Sequence, residues 1–369
     1  MLASMCYRLL LAGATLMAVS SARADNLTPL QLVAPDATVV IGINSESIRQ
    51  AYARSRYREL LTPEYRAQYE QQAQAMKGML GFDLTQLQEI VVGVRPGQPG
   101  ASGQGLLVVR GSFDPDHPPA LLALMPTQRS THQGVTLMIS KQDKGDPLAI
   151  AFLGRTMLVA GDPASVRAAI SRWQAGVAAH SPWLARAEQM HRTFHVWCLT
   201  HDLQSVAPHG VALSKDADAV ERAMQSVEEI TAGMTLAPDF KASVEMLANT
   251  AKDAAALQGA VSMVMALAMA QSGPQKAKDL LKGIEITTQE RTVRLSLAIP
   301  EEQLMQLVKE RMKQGTPWWK GTPLGPSGGA RVKLGQQPPQ STEVTVQGSE
   351  PAARHAAKAD DTQVIVLPK

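Results

Sequence analysis

The chain has 369 residues, a formal net charge of +3, 45% hydrophobic residues, 4% aromatic residues and two cysteines. A charge this close to neutral argues against a protein that binds nucleic acid through a strongly basic surface. Two cysteines exclude a small scaffold held together by several disulfides, so we expect stability to come from the packing of aliphatic side chains.

The N-terminus has the layout of a cleavable secretory signal peptide. An uncharged apolar run over residues 9–19 follows Arg8, and this run is too short to span a bilayer as a mature helix. Ala22 and Ala24 then place small residues at the −3 and −1 positions of a cut after Ala24. We therefore predict export to the periplasm or secretion, with a mature chain that starts at Asp25 and has no transmembrane helix.

Removal of this signal peptide changes two bulk properties of the chain. Arg8 and Arg23 leave, which lowers the formal net charge from +3 to +1, and Cys6 leaves, so that Cys198 becomes the one thiol of the mature sequence. No intramolecular disulfide is then available. We expect the Cys198 thiol to be buried and unreactive.

In the first half of the chain, β-branched and apolar runs predict strands, and capping residues predict helices between them. The predicted strands are 38–43, 90–94, 106–113, 135–140, 148–153 and 156–160. The predicted helices are 47–61, 63–80, 115–125 and 164–173. Two of these helices follow an Asp-Pro pair, in which the aspartate caps the first N–H groups and the proline suits the first turn.

The second half repeats this alternation of elements. The predicted strands are 194–200, 229–236, 240–247, 283–288 and 292–298. The predicted helices are 216–226, 250–271 and 300–314. Residues 289–291 suit the turn between the last two strands, and Asn249 suits the N-cap of the longest helix.

The order of the elements predicts an α+β fold. Adjacent strand pairs favour mostly antiparallel sheets with helices on one face, and not a doubly wound parallel sheet. Both halves follow roughly the same order, so we predict an internal repeat of two similar lobes, residues 25–178 and 179–314. Residues 315–369 contain seven prolines and seven glycines and are expected to be largely disordered. The runs 342–347 and 362–367 within them could pair with a sheet edge.

Three segments resemble those of exported bacterial proteins of unknown function. They are Ala34 to Asn44 (APDATVVIGIN), Gly81 to Leu84 (GFDL) and Leu158 to Asp162 (LVAGD). The resemblance spans roughly residues 34–175. It consists of strand starts, caps and turns, and it implies no activity and no functional residue.

No catalytic or metal-binding pattern is present in the sequence. His191 and His195 have a spacing that suits zinc on a helix, but we expect the helix to end before His195. Residues 325–329 match the pattern G-x-S-x-G, yet no strand precedes the serine and no helix follows it. We therefore predict no catalytic residue, no metal and no cofactor.

A group of arginines accompanies the tyrosines of the first two helices. Arg54, Arg56 and Arg58 could form a surface that contacts anionic lipid headgroups or an acidic partner. The alternative, which we favour, is an amphipathic helix pair with its tyrosines on the sheet and its arginines in water.

Residues 254–270 carry no charge and contain three methionines. Three interpretations compete: a buried core helix, the wall of an apolar ligand cavity, and a membrane contact. We favour the core helix. The residues that would contact either the core or an apolar ligand are Leu257, Val261, Val264, Met265 and Met269.

These patterns together predict an exported protein of the bacterial envelope, most simply a non-catalytic binding or structural protein. A periplasmic carrier of lipids or other apolar ligands is the alternative, and a hydrolase without a recognisable motif is the third reading. The expected partners are an envelope protein or a lipid, not nucleic acid. A cleft between the lobes or beside residues 257–269 is the expected position of any site.

Overall fold

A computed structural model describes residues 27–60, 63–95, 97, 103–116, 126–140, 146–201, 223–236, 238–271 and 283–313. Its centre is an antiparallel sheet in which the described strands follow the order β11-β12-β10-β9-β8-β1-β2-β3-β7-β6-β5-β4. The strands are β1 Val39–Asn44, β2 Glu89–Arg95, β3 Gln104–Arg110, β4 Thr127–His132, β5 Val135–Ser140, β6 Ala149–Leu153, β7 Met157–Gly161, β8 Val196–Thr200, β9 Val227–Leu236, β10 Phe240–Ala248, β11 Ile284–Gln289 and β12 Thr292–Ile299.

Helices flank this sheet. They are α1 Ser45–Arg54, α2 Pro63–Leu80, α3 Pro163–Ala175, α4 Pro182–Thr193, α5 Ala251–Gln271 and α6 Glu301–Lys313. Short 3-10 helices lie at Pro29–Leu32, Arg56–Leu60 and Leu84–Gln86. The predicted α+β class is therefore confirmed, with antiparallel strands throughout the described sheet.

The two halves of the chain share this one sheet. β1 from the first half pairs antiparallel with β8 from the second, with Val40 opposite Leu199 and Gly42 opposite Trp197. Beyond β1, all strands of the described sheet come from the first half of the chain, and beyond β8 all come from the second half. The predicted lobes, 25–178 and 179–314, therefore meet along the β1–β8 pair as parts of a continuous sheet.

Helices pack on both faces of the sheet, so the prediction of helices on one face was wrong. On the first face, α3 buries Ile170 against β3, β5, β6 and β7, and α4 buries Leu184 against Val40 and Trp197. On the opposite face, α5 buries Leu257 against Val293 and neighbouring residues. Strand β7 faces helices on one side and Phe113 on the other. Its sequence is a continuous apolar run because both of its faces are covered.

The Asp-Pro signal correctly predicted the start of α3. Asp162 Oδ1 accepts hydrogen bonds from the N–H groups of Ala164 (3.1 Å) and Ser165 (2.9 Å). Its Oδ2 accepts from the Gly105 N–H at 3.0 Å, which ties the cap to β3. Gly176 ends the helix in the left-handed region, at φ 62°.

The segment before β1 belongs to the core, which the sequence did not indicate. Leu27, Leu30, Leu32 and Val33 are buried on the first face of the sheet. The Arg172 guanidinium donates from Nε (3.1 Å) and Nη2 (2.6 Å) to the Leu32 carbonyl, so α3 holds this segment in place.

Two further predictions differ from the structure. The helix predicted over 47–61 ends at Arg54, and a separate 3-10 helix covers Arg56–Leu60, because Ser55 leaves the helical conformation at φ −90° and ψ 164°. Strand β4 was missed because its sequence, TQRSTH, is polar on both faces. The helices predicted over 115–125 and 216–226 and the C-terminal segment 315–369 lie mostly or wholly outside the described residues.

Candidate functional site

A groove with charged and hydroxyl groups on its floor runs beside α4 on the first face of the sheet. It consists of two adjoining cavities of about 370 Å³ and about 640 Å³ that share Arg186 and Glu245. We call it the polar groove. Its floor is formed by β9, β10 and β12, β11 bounds it on the far side, and α4 is its near wall.

Strand register explains why the floor is polar. On β10, alternate residues Lys241, Ser243 and Glu245 point into the groove, whereas Val244 and Met246 point to the opposite face and pack under α5. On β12, Arg294 lies directly opposite Glu245 in the register. One strand thus supplies an apolar core to one face and hydrogen-bonding groups to the other.

The wall is positioned by a well-capped helix. Ser181 caps α4 by accepting a hydrogen bond from the Leu184 N–H at 3.1 Å, and Pro182 occupies the first turn. Trp183 lies at this end of the groove, with its ring 4.3 Å from the ring of His201 in an edge-to-face arrangement. Phe194 lies at the other end, against Gly233. The groove is therefore bordered by an aromatic side chain at each end of α4.

An ionic network crosses the groove from helix to sheet. Arg186 Nε lies 3.5 Å from Glu229 Oε1, and Arg186 Nη2 lies 3.2 Å from Glu245 Oε2. The second oxygen of Glu245 lies 2.7 Å from Arg294 Nη2. Because both carboxylates are only 22% exposed, these pairs are less screened than ordinary surface pairs. The network fixes α4 to β9 and β10 and holds charges of both signs in the groove.

The two neighbouring acids at the start of β9 have different roles. Glu229 points into the groove, and burial raises its pKa although Arg186 acts in the opposite direction. Glu228 is exposed and pairs with Arg291 at 3.4 Å. The alternation of side chains along a strand separates them.

A second cluster of titratable groups lies under the far side of α4. Glu89 is 8% exposed, and its Oε1 lies 3.6 Å from His191 Nε2 without a hydrogen bond in the described structure. Burial raises the pKa of Glu89, and the charges of His191 and Arg110 partly offset this effect. Glu89 does not line either cavity of the polar groove.

The five residues predicted to contact the core or an apolar ligand in the uncharged segment 254–270 differ in their exposure in α5. Leu257 is fully buried in the core, and Val261, Met265 and Met269 are half-buried. Val264 is 37% exposed. None of the five lines the polar groove, which lies on the opposite face of the sheet. In the described parts of the chain, no helix is long and apolar enough to cross a membrane.

The three predicted arginines are exposed, and two of them make local contacts. Arg56 lies 3.3 Å from Glu59 and 3.5 Å from Glu302, so its charge is offset by nearby acids. The backbone carbonyl of Arg58 accepts a hydrogen bond from Arg66 at 3.3 Å. Arg54 ends α1. The structure does not bring these arginines to the groove.

The structure also shows where the histidines and the cysteine considered in the sequence analysis lie. α4 ends at Thr193, so His191 and His195 do not share a helix. His195 Nδ1 accepts a hydrogen bond from the Leu236 N–H at 3.0 Å, and burial lowers its pKa. Cys198 is half-buried, and burial raises the pKa of its thiol. In the ranges described above, no group of His, Cys, Asp and Glu has the arrangement of a metal site.

Sequence reasoning missed the groove itself. Arg186, Glu229, Glu245 and Arg294 are far apart in the chain and meet through strand register and helix packing. A usable signal was present in the polar alternation of β10, where charged and hydroxyl side chains recur at every second position.

Comparison with known proteins gives little further information. No protein-family model matches the chain, and no curated protein matches it. Three solved structures of TP0453, in crystal forms III, I and IV, are similar to it at TM-scores of 0.42, 0.41 and 0.41 and identities of 12%, 11% and 11%. The matches cover 78%, 77% and 78% of this chain and 99%, 98% and 99% of those chains. Likeness at this level carries no inference about function.

Proposed function

We propose that this chain is an exported, non-catalytic binding protein of the bacterial envelope that holds a polypeptide segment of a partner protein in the polar groove. The observation that carries the proposal is the groove itself, an elongated cavity pair with fixed charges of both signs and hydroxyl groups on its floor. Export rests on the signal-peptide layout of the first 24 residues.

The dimensions of the groove fit an extended peptide. From Lys241 to Leu247, which line the two cavities, β10 rises by about 20 Å, which accommodates about six residues in extended conformation. Lys241 and Arg294 can bind carboxylates, Glu285 can bind a basic side chain, and Ser243 and Ser296 offer hydroxyls to backbone groups. Trp183 and Phe194 border the two cavities with apolar surface.

The charged groups of the groove argue against the alternative function, a periplasmic carrier of lipids or other apolar ligands. A carrier site is enclosed and mostly apolar. The smaller cavity of this groove also presents mostly apolar surface, but the groove is open, and the floor of its larger cavity contains the charged residues Lys241, Glu245 and Arg294. Burial of a lipid chain against these groups would desolvate them without replacing their hydrogen bonds. The groove residues therefore favour a polar, hydrogen-bonding ligand.

Selection from a random peptide library tests this proposal directly. Purified mature protein is used to enrich displayed peptides of about eight residues, and enriched peptides are then measured by fluorescence anisotropy. We expect affinity to fall at least about tenfold in the variant Ser243→Trp, because the indole would fill the floor between Glu245 and Lys241.

The matched control is Thr131→Trp on strand β4, which is exposed and distant in the strand order from the groove. This variant is expected to bind the enriched peptides as the unmodified protein does. Failure to enrich any peptide, or equal affinity of Ser243→Trp and Thr131→Trp, would show that the polar groove is not a peptide site.

A further inference from the structure

The two cavities of the polar groove differ in the chemistry of their linings. The smaller cavity, of about 370 Å³, lies at the start of α4 and presents mostly apolar surface, to which Pro182, Trp183 and Leu247 contribute. Its charged lining residues are Glu229, Glu245 and Arg186. Carboxylates therefore outnumber cations by two to one in the smaller cavity, and a ligand group there meets apolar walls beside negative charge.

The two carboxylates of the smaller cavity are not equally well paired. Glu245 uses both of its oxygens, with Oε2 at 3.2 Å from Arg186 Nη2 and Oε1 at 2.7 Å from Arg294 Nη2. Glu229 has one ion pair among the described residues, in which its Oε1 lies 3.5 Å from Arg186 Nε. Burial raises the pKa of Glu229 in spite of this arginine. Glu229 is therefore the carboxylate that can still accept from a ligand.

The start of α4 lies beside the same cavity and by itself would favour an anion. Its first N–H groups are already engaged, however, and Pro182 has none to offer. The Leu184 N–H donates to Ser181 Oγ at 3.1 Å, and the Ala185 N–H donates to the Ser181 carbonyl at 3.1 Å. These bonds reduce what the helix offers an anion, whereas the second oxygen of Glu229 is available to a cation.

We propose that the smaller cavity is a specificity pocket for a basic side chain, lysine or arginine, of the peptide in the polar groove. This inference rests on the proposed function and adds the chemistry of one ligand position. The cationic head would pair with Glu229, and its methylene stem would pack against Pro182 and Leu247. Trp183 lines the same cavity, and a cation within about 6 Å of an indole face is attracted to it.

The register of the floor fixes where this basic residue lies in the bound segment. Glu229 is opposite Leu247, and Lys241 lies six residues before Leu247 on β10. Strand rise separates Glu229 from Lys241 by about 20 Å along the groove. In the larger cavity cations outnumber carboxylates, with Arg186, Lys241 and Arg294 against Glu245 and Glu285. A basic residue is therefore expected at the end of the segment beside Trp183, and not along its whole length.

The sequences of the peptides enriched from the random library are the first test. We expect lysine or arginine at one fixed position near one end of the enriched motif. The formal net charge of the whole chain is +3, so a general electrostatic attraction would not select basic peptides. The fixed position separates a specific pocket from such an attraction.

A double-substitution cycle is the second test. The basic residue of one enriched peptide is replaced by norleucine, which keeps the apolar stem and removes the charge, and both peptides are titrated by fluorescence anisotropy. We expect Glu229→Gln to weaken the basic peptide about tenfold and the norleucine peptide less than about twofold. Retained affinity for the norleucine peptide also shows that the variant is folded.

The matched control is Glu228→Gln, which changes the neighbouring acid on β9. Glu228 is exposed, pairs with Arg291 and lies outside both cavities, so this variant should bind both peptides as the unmodified protein does. The pocket is overturned if peptides that Ser243→Trp weakens carry no fixed basic residue or carry an acidic one there. It is also overturned if Glu229→Gln weakens the basic and norleucine peptides equally. Those results leave the peptide site standing, whereas failure to enrich any peptide would remove both proposals.

Discussion

Trp197 lies directly over Gly42 of the neighbouring strand, and a Cβ atom at Gly42 would come within 2.3 Å of the indole ring. Trp197 is 1% exposed and packs between the sheet and α4, so it has no room to move away. We expect Gly42→Ala to destabilise the protein by about 1–3 kcal/mol through overpacking, measured by urea denaturation. Gly259→Ala in α5 is the control, because nothing lies within 4 Å of its Cβ position. A neutral effect at Gly42 would contradict this account.

Burial decreases along α5, so the same Leu→Ala substitution should lower the free energy of unfolding by different amounts at Leu257 and Leu267. Leu257→Ala removes a fully buried side chain and should cost about 2–5 kcal/mol in the free energy of unfolding. Leu267→Ala, at 42% exposure on the same face, should cost less than about 1 kcal/mol. Equal losses at the two positions would mean that Leu267 is as buried in the folded protein as Leu257.

The Asp162 cap gives a prediction with a defined pH dependence. Asp162→Ala should cost about 1–2 kcal/mol at neutral pH, since it leaves the N–H groups of Ala164, Ser165 and Gly105 without their acceptor. Burial acts to raise the pKa of Asp162, but hydrogen bonds from Ser165, Gly105 and Ala164 prevail and lower it. The carboxylate's contribution is therefore present above its ordinary pKa of 3.8 and is lost as the pH falls through the lowered value.

Denaturation curves at neutral and acid pH check this assignment. The difference between the unmodified protein and Asp162→Ala should shrink as the solution is acidified. Asp162→Asn should lie between the two, because an amide oxygen can still accept from Ala164 and Ser165 but the amide nitrogen cannot accept from Gly105. A difference that grows on acidification would contradict the assignment.

Glu89 should have the opposite pH dependence. Its pKa is raised above the ordinary value of 4.5 by burial, so the folded state holds the proton more tightly than the unfolded state. The free energy of unfolding, compared with that of Glu89→Gln, is therefore expected to fall as the pH rises from the ordinary value through the raised one. His191 and Arg110 face this carboxyl and reduce the size of the effect.

Denaturation of both proteins from about pH 4 to about pH 8 measures this difference. Glu188→Gln serves as the control, because Glu188 is a partly exposed acid on α4 paired with Arg192. A difference between the unmodified protein and Glu89→Gln that is constant or rises with pH would exclude a raised pKa at Glu89.

Cleavage after Ala24 is the prediction that tests export. Mass spectrometry of the protein from a cell-envelope fraction should give an N-terminus at Asp25. Ala24→Arg replaces the small residue at −1 and should leave the precursor uncut, whereas Ser20→Thr, outside the −3 and −1 positions, should not affect cleavage. An intact Met1 in the unmodified protein would contradict the presence of a cleavable signal.

The sequence located most strands and helices because their periodicity is a local property. β1 and β2 are rich in β-branched residues, and β7 is a short apolar run. The turn predicted at residues 289–291 lies where Glu290 adopts a positive φ of 50°. β4 was missed because polar residues on both of its faces give it no apolar period, although one face is partly covered by α3, where His132 contacts Ser171. It forms by pairing with β5 across the two-residue turn in which Gln133 and Gly134 both adopt positive φ.

The alternation along β10 is a local sign of a polar strand face, but the residues that meet in the candidate site could not be predicted from local patterns. Arg186 is an ordinary helical arginine until α4 packs beside β9 and β10, and Glu229 and Glu245 become neighbours only through the pairing of their strands. The buried N-terminal segment gives a similar lesson. In sequence this segment resembles a linker. Its leucines become core residues because Arg172 and the sheet hold the segment in place.

The position of β1 at the centre of the sheet has a consequence for the order of folding. β2 pairs with one side of β1 early in the chain, but β8, which pairs with the other side, follows about 150 residues later. Until β8 is available, the apolar strand VVIGIN has an unpaired edge. Contacts of such long sequence separation slow folding, and this edge is where an incompletely synthesised or truncated chain would be most prone to aggregate.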